Sequence, residues 1–201
     1  MTDNDAHHKL LDKSQIVHVA LEILQTEGYK SITIRNIAER LGIKSASLYW
    51  HIKNKNELLE LVADEICKNI QLPDKEADWD EQIMMLAKEW RGKLLSIRDS
   101  AIVIAETAPT TPYRIQLIEQ MHDIFKKAGM GHKEAFSALW FFNTYTISFI
   151  LEEYRFLEIA NKESANPVLE TPSINLTIPD MDQEFQFGME VMITGLKGKV
   201  K

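Results

Sequence analysis

Between Lys9 and Thr26 the apolar residues Leu10, Ile16, Val17, Ala20, Leu21 and Leu24 recur at the three-to-four-residue interval that lines one face of a helix, and Gly28 follows as a stop. Thr33 stands where a hydroxyl can accept from the open amides of a second helix, Ile34 to Leu41, whose apolar stripe is Ile34, Ile37, Ala38 and Leu41. Gly42 breaks that helix. After the turn Gly42-Ile43-Lys44, Ser45 is placed to cap a short helix reaching Tyr49 or Trp50, with Leu48 turned back to the same core. Asn54, with Glu57 three residues on, has the spacing of a further cap, opening a helix that carries Leu58, Leu61, Val62, Ile66 and Ile70. The pattern over 9–70 therefore predicts three small helices closing one core and a fourth leading out of it.

From Gln71 to Ala77 the periodicity lapses around Pro73, which reads as a connection. Helical patterns resume at about Trp79 to Leu95, opened by Asp78 and Glu81, then Ala101 to Thr107, Pro112 to Ala128, His132 to Arg155 or slightly beyond, and Asp182 to Lys197. No segment alternates as a strand, and 161–179, with Pro167, Pro172 and Pro179 among small polar residues, is expected to be a long flexible loop. The fold class expected is all-α, with an N-terminal helix-turn-helix domain over 9–70 and a larger helical domain over 78–198. Trp140, Phe141, Phe142, Tyr145, Phe149, Ile150 and Tyr154 make one helix aromatic around much of its circumference, so it must be surrounded by protein. The last helix offers Phe185, Met189, Met192 and Leu196 on one stripe, and Gly188 and Gly195, seven apart, where another helix can come close. Two such helices per chain suggest a four-helix homodimer interface; an intramolecular core is the other reading.

Composition sharpens this picture in one place. The 201 residues are 45% hydrophobic and 26% charged with a formal net charge of −7, which argues against a protein that coats nucleic acid indiscriminately. Yet between Lys30 and Lys55 the charged residues are Lys30, Arg35, Arg40, Lys44, Lys53 and Lys55 against Glu39 alone. The positive charge is local to the predicted helix-turn-helix, the geometry that puts a helix into a major groove. On the short helix Ser45, Ala46, Ser47 and Tyr49 suit base edges and thymine methyls. Lys44 in the turn, and Thr33, Arg35, Trp50, His51 and Lys55 at the edges, suit phosphates or an adjacent base. On pattern alone an ordinary three-helix bundle, with Tyr49 and Trp50 as packing aromatics, stands beside this reading.

Other chemistries find little support. The six histidines are scattered, with no HExxH pair, no metal-binding Cys/His spacing, no phosphate-cradling glycine loop and no nucleophile elbow. No catalytic residue, metal or cofactor is expected. Cys67 is the single cysteine and falls on an apolar helix face, so it reads as packing. No apolar run is long enough to span a bilayer, and Met1 to His8 lacks the apolar stretch of a secretory signal, so a cytoplasmic protein is expected.

The stretch Ser14 to Ile66 closely resembles the DNA-binding domain of the TetR family of regulators. Ile32-Thr33-Ile34-Arg35, Ala38-Glu39-Arg40-Leu41-Gly42-Ile43 and, most specifically, Leu48-Tyr49-Trp50-His51-Ile52-Lys53-Asn54-Lys55 carry that resemblance. It extends more weakly through Leu94-Leu95-Ser96, Arg98-Asp99, Thr107, Pro109, Leu151-Glu152, Phe187-Gly188 and Gly195-Leu196 to the family's tetracycline-responsive branch. It implies a homodimeric repressor on double-stranded, palindromic operator DNA, released by a small-molecule inducer; an adaptor or activator acting through protein contacts is the alternative. By position in the resemblance, Gln71, Trp90, Ile104, Thr107, Pro109, Met121, Thr144, Tyr145 and Glu152 are the candidate ligand-binding residues, suited to a largely apolar or cationic molecule. The tetracycline-binding members hold a drug-chelated magnesium ion with a histidine, where this chain has Ile104. Two further drug-contacting histidines correspond to Gln71 and Thr144, so only the carboxylate of Glu152 is retained, and tetracycline with magnesium is not the expected inducer.

Overall fold

The structure, a computed structural model, describes residues 11–162, 169–171, 174–176 and 180–199. Lys9 and Leu10, expected to begin the first helix, and most of the expected loop 161–179 lie outside them. Helix α1, Lys13–Glu27, opens at Asp12, whose carboxylate accepts from the Gln15 amide at 2.8 Å while the Gln15 side chain accepts from the Asp12 amide at 3.1 Å. Helices α2, Ile34–Arg40, and α3, Ser45–Leu48, cross beneath it, and α4, Lys55–Cys67, closes the unit. Ile16, Ala20, Ile23, Leu24, Ile37, Leu48, Ile52, Leu58 and Val62 are fully enclosed or nearly so, so one small core fixes all four helices.

Two caps are as the sequence predicts: Thr33 accepts from the Asn36 amide at 3.1 Å and Asn54 from the Glu57 amide at 2.9 Å. Two others differ. Ser45 is the first residue of α3 and Lys44 occupies the cap position, while Asp78 precedes α5 without a side-chain cap bond. Helix α4 stops at Cys67, short of Ile70, because Lys68 turns to an extended conformation with ψ of 141° and Asn69 then takes a left-handed one with φ of 62°, neither of which a helix continues through.

The larger unit consists of α5, Trp79–Leu95; α6, Ser100–Glu106; α7, Pro112–Lys127; α8, His132–Lys162; and α9, Met181–Lys197. Part of the expected loop pairs instead: β1, Leu169–Thr171, runs antiparallel to β2, Ile174–Leu176, with Glu170 opposite Asn175. Three-residue strands are too short to register as alternation, which is why periodicity missed them. The structure is otherwise helical among the described residues.

Helix α9 lies on α8 and α5. A Cβ at Gly188 would overlap the Tyr145 hydroxyl, so this glycine permits close approach within the chain, whereas nothing stands near Gly195. Tyr145 stacks on Phe185 at 5.6 Å and donates to the Phe185 carbonyl at 3.1 Å. Its outer face is another matter: Phe187 and Val191 of α9 and Phe141 and Leu151 of α8 remain exposed. The aromatic circumference of α8 is thus only half covered by its own chain.

Candidate DNA-reading face and ligand cavity

The turn between α2 and α3 is drawn tight by the Ile43 amide on the Ala38 carbonyl at 3.0 Å and the Gly42 amide on the Glu39 carbonyl at 3.1 Å. Gly42 sits at φ of 68° with open space around it, so it is required by backbone conformation and not by crowding. The turn leaves α3 standing clear of the body. Tyr49 and Trp50 are 56% and 89% exposed, a placement that contradicts their use as packing aromatics within this chain.

Thr33, Arg35, Lys44, Ala46 and Lys55 are exposed beside them, and Ser45, Ser47 and His51 are half-buried at the edge of the same surface. All ten sequence-predicted DNA contacts are therefore brought together on the α2–α3 unit and the start of α4. Their charges are uneven in a useful way. Arg40 is tied to Glu27, and Lys55 lies 5.3 Å above the Tyr29 ring, but Arg35, Lys44 and Lys53 have no ion-pair partner among the described residues. Uncompensated cations around an exposed short helix are what a phosphate backbone attracts.

The second site is a cavity of about 370 Å³ bounded by the end of α6, one face of α7 and the middle of α8, with Trp90 of α5 and Cys67 of α4 in its wall. Six of the nine sequence-predicted ligand residues line it: Trp90, Ile104, Thr107, Pro109, Met121 and Thr144. Gln71, Tyr145 and Glu152 do not. Gln71 is exposed on the connection, its amide donating to Glu89 at 3.2 Å. Tyr145 is turned towards α9, as described above. Glu152 pairs with Arg155 at 2.6 Å on the surface of α8, so the one retained carboxylate faces away from the cavity.

Sequence reading missed Arg114, Leu117, Ile118, Trp140 and Asn143 in this wall. Arg114 is the consequential omission. It is only 8% exposed, and its Nη1 donates to the Thr107 hydroxyl at 2.6 Å and to the Thr107 and Ala108 carbonyls at 3.1 Å, with Nη2 on the Ile104 carbonyl at 3.3 Å. The cation thereby satisfies the open carbonyls at the C-terminal end of α6. Burial holds its pKa below the usual guanidinium range. The available signal was its position one turn before Ile118 and two before Met121, a charged residue inside an apolar stripe.

Burial also pushes the Cys67 thiol up to about 12, so it stays protonated and unreactive. Alkylation by iodoacetamide at about pH 8 is expected to be on the order of a hundredfold slower in the native protein than in guanidinium chloride. Rapid native labelling, followed by mass spectrometry, would show that the end of α4 opens readily.

The two sites are mechanically joined through α6 and its flanking turns. At its start, the Tyr29 amide donates to Asp99 at 2.8 Å, Arg98 donates to the Thr26 carbonyl at 3.0 Å, and the Arg98 amide donates to Gln25 at 2.9 Å. A Cβ at Gly28 would stand 2.7 Å from the Asp99 carboxylate, so glycine is needed there for contact as well as for its φ of 88°. Beyond its end, Asp64 of α4 accepts from the Tyr113 and Arg114 amides at 2.8 and 3.2 Å, supplying the cap that Thr111 does not. The two helices that meet in the cavity wall are therefore each held at their start by the N-terminal unit, α6 at Asp99 and α7 at Tyr113 and Arg114.

An exposed helix-turn-helix braced against a cavity-bearing helical domain defines a regulator class that reads DNA with one unit and senses a small molecule with the other. Comparison with known families agrees. The family model described as bacterial regulatory proteins, tetR family, matches residues 16–62, and that described as tetracyclin repressor-like, C-terminal domain, matches residues 72–200. The chain belongs to the TetR family of transcriptional regulators. It is 28% identical over 204 residues to the tetracycline repressor protein class G of Vibrio anguillarum, covering 93% of this chain and 94% of that one. Among solved structures it is similar to the Streptomyces coelicolor TetR family protein ActR in complex with (S)-DNPA, at a TM-score of 0.81 and 26% identity over 95% of this chain and 99% of that one. It is also similar to BioQ with its natural double-stranded DNA operator, at a TM-score of 0.77 and 25% identity over 93% and 98% of the two chains. Among the described residues no helix is long and apolar enough to cross a membrane.

Proposed function

We propose that the protein is a homodimeric, cytoplasmic transcriptional repressor that acts by binding and not by catalysis. Each protomer places α3 in a major groove of a palindromic operator and lets go when a small, largely apolar organic molecule fills the cavity. The observation that carries this reading is that the cavity wall is tied to the N-terminal unit at two points, the start of α6 through Asp99 on the Tyr29 amide and the start of α7 through Asp64 of α4: a ligand that shifts α6 against α7 pulls on Gly28–Tyr29 and on Asp64, and so tilts the helix-turn-helix. A two-fold dimer would require its reading helices to stand about 34 Å apart, one turn of DNA, so a tilt of each unit spoils the spacing for both. The family membership and the operator complex of BioQ support the DNA half of this reading, and the ligand complex of ActR supports the sensing half.

Within it, Ser45, Ala46, Ser47 and Tyr49 read base edges, while Thr33, Arg35, Lys44, Trp50, His51 and Lys55 hold the phosphates. Fluorescence anisotropy against DNA from upstream of the protein's own gene, at fixed salt, tests this directly. Saturable binding to one palindromic fragment is expected, with Tyr49→Ala weaker by about tenfold or more. Equal, weak and salt-sensitive binding of wild type and Tyr49→Ala to every fragment would favour an adaptor that works through protein contacts.

A further inference from the structure

The cavity wall contains one charged side chain, Arg114, and no carboxylate. A buried guanidinium ordinarily has an acid against it, because a lone charge is costly to take out of water. Here no carboxylate lies within ion-pair distance among the described residues. Glu60 and Asp64 act on it only from farther off, and Asp64 is already engaged by the Tyr113 and Arg114 amides. The bonds that Arg114 makes go to neutral oxygens at the end of α6 and use Nη1 and Nη2, leaving Nε without a bonded partner among the described residues. The rest of the wall is apolar around Trp90, Ile118 and Met121, with Asn143, Thr144 and Ser148 of α8 contributing neutral polar groups.

We propose that the molecule this cavity senses is an organic anion, with an apolar, largely aromatic body against Trp90 and the α7 stripe and one carboxylate or sulfonate group on Arg114. The proposal rests on the ligand cavity put forward above and adds the charge of its occupant. Charged hydrogen bonds from a planar guanidinium to an oxyanion are stronger than those to amide carbonyls, so the ligand competes successfully for donors that now hold Ile104, Thr107 and Ala108. Drawing the guanidinium towards the ligand loosens the C-terminal end of α6, the segment adjoining the Asp64 contact. A cation would meet Arg114 with no acid in the wall to offset the repulsion.

Two fluorescent probes of nearly equal apolar body separate the possibilities: anilinonaphthalene sulfonate, an anion, and phenylnaphthylamine, its neutral counterpart. Titrated into the full-length protein at fixed salt, the sulfonate is expected to bind about tenfold tighter or more, although the neutral probe is the more apolar. Thr144→Trp, at an exposed position in the cavity wall, is expected to weaken both probes, and Arg114→Gln to abolish the preference for the sulfonate. If Arg114→Gln does not fold, the wild-type comparison and Arg114→Lys, which keeps the charge and loses the fork, decide the matter. Equal binding of the two probes, with both weakened by Thr144→Trp, would leave the cavity as a ligand site and overturn its assignment to an anion. Binding of both probes unaffected by Thr144→Trp would place them elsewhere and overturn the cavity reading as well.

Discussion

Phe187→Glu is expected to give a folded monomer that no longer holds a palindromic operator. Phe187 is 65% exposed on α9 and Val191, one turn on, is 56% exposed; Phe141 and Leu151 of α8 add to the same uncovered surface of the helix pair. Apolar residues at this spacing on two adjacent helices form a patch that a single chain leaves in water, and a second copy is the partner that two-fold symmetry supplies. Symmetry also doubles the penalty, since each substitution enters the interface twice. Two carboxylates brought into an apolar interface without partners cost at least about 3 kcal/mol together, which raises the dimer dissociation constant more than about a hundredfold. Operator affinity falls with it, because a monomer engages one half-site and loses the avidity of the second. Light scattering on a sizing column reads the dimer, circular dichroism reads the fold, and anisotropy reads the operator. A variant that remains dimeric at micromolar concentration would move the interface away from α8 and α9.

How far the sequence foretold this molecule depends on whether the relevant signal is local. The helix-turn-helix was legible because each part declares itself over a few residues: Thr33 and Asn54 as caps, Gly42 as the turn, Leu48 as the inward residue of an otherwise polar helix. For Trp50 the same short stretch left packing and exposure both open, and its 89% exposure decides between them. The cavity was legible only in part, because its wall is assembled from five helices and depends on which way each one faces. Ile104 and Met121 were found, while Tyr145 was assigned to the cavity although it stacks on Phe185 behind α8. One step of 100° about a helix separates Thr144, in the wall, from Tyr145, outside it. Arg114 was missed for a related reason: the stripe marks a charge among apolar residues, but its partners, the Thr107 hydroxyl and three main-chain carbonyls ten to six residues upstream, depend on how α7 packs against the end of α6. The β1–β2 pair was missed because three residues per strand are too few to show a period of two.

The strongest stability effect is expected from Glu153→Ala, with a loss of about 3–5 kcal/mol. Arg91 of α5 reaches between α8 and α9, where its Nε and Nη2 donate to the two oxygens of Glu153 at 2.9 and 2.6 Å. The side chains are 12% and 8% exposed, so neither charge is well solvated, and the guanidinium carbon lies 5.1 Å from the centre of the Phe185 ring and 5.8 Å from that of Phe149. Removing the carboxylate leaves a cation in an apolar seat with one remaining partner, Asp182, at 2.7 Å. That partner is 85% exposed and screened by water, so Asp182→Ala is expected to cost no more than about 1 kcal/mol. Replacing both buried charges at once, as Arg91→Met with Glu153→Leu, is expected to recover most of the loss, because the desolvation penalty disappears with the pair. Urea unfolding at one fixed protein concentration measures all three, since a dimer's apparent stability depends on concentration. If Glu153→Ala were as mild as Asp182→Ala, α9 would be held chiefly by the packing of Phe185, Met189 and Met192, and Arg91 would contribute through its contact with the two rings more than through its charge.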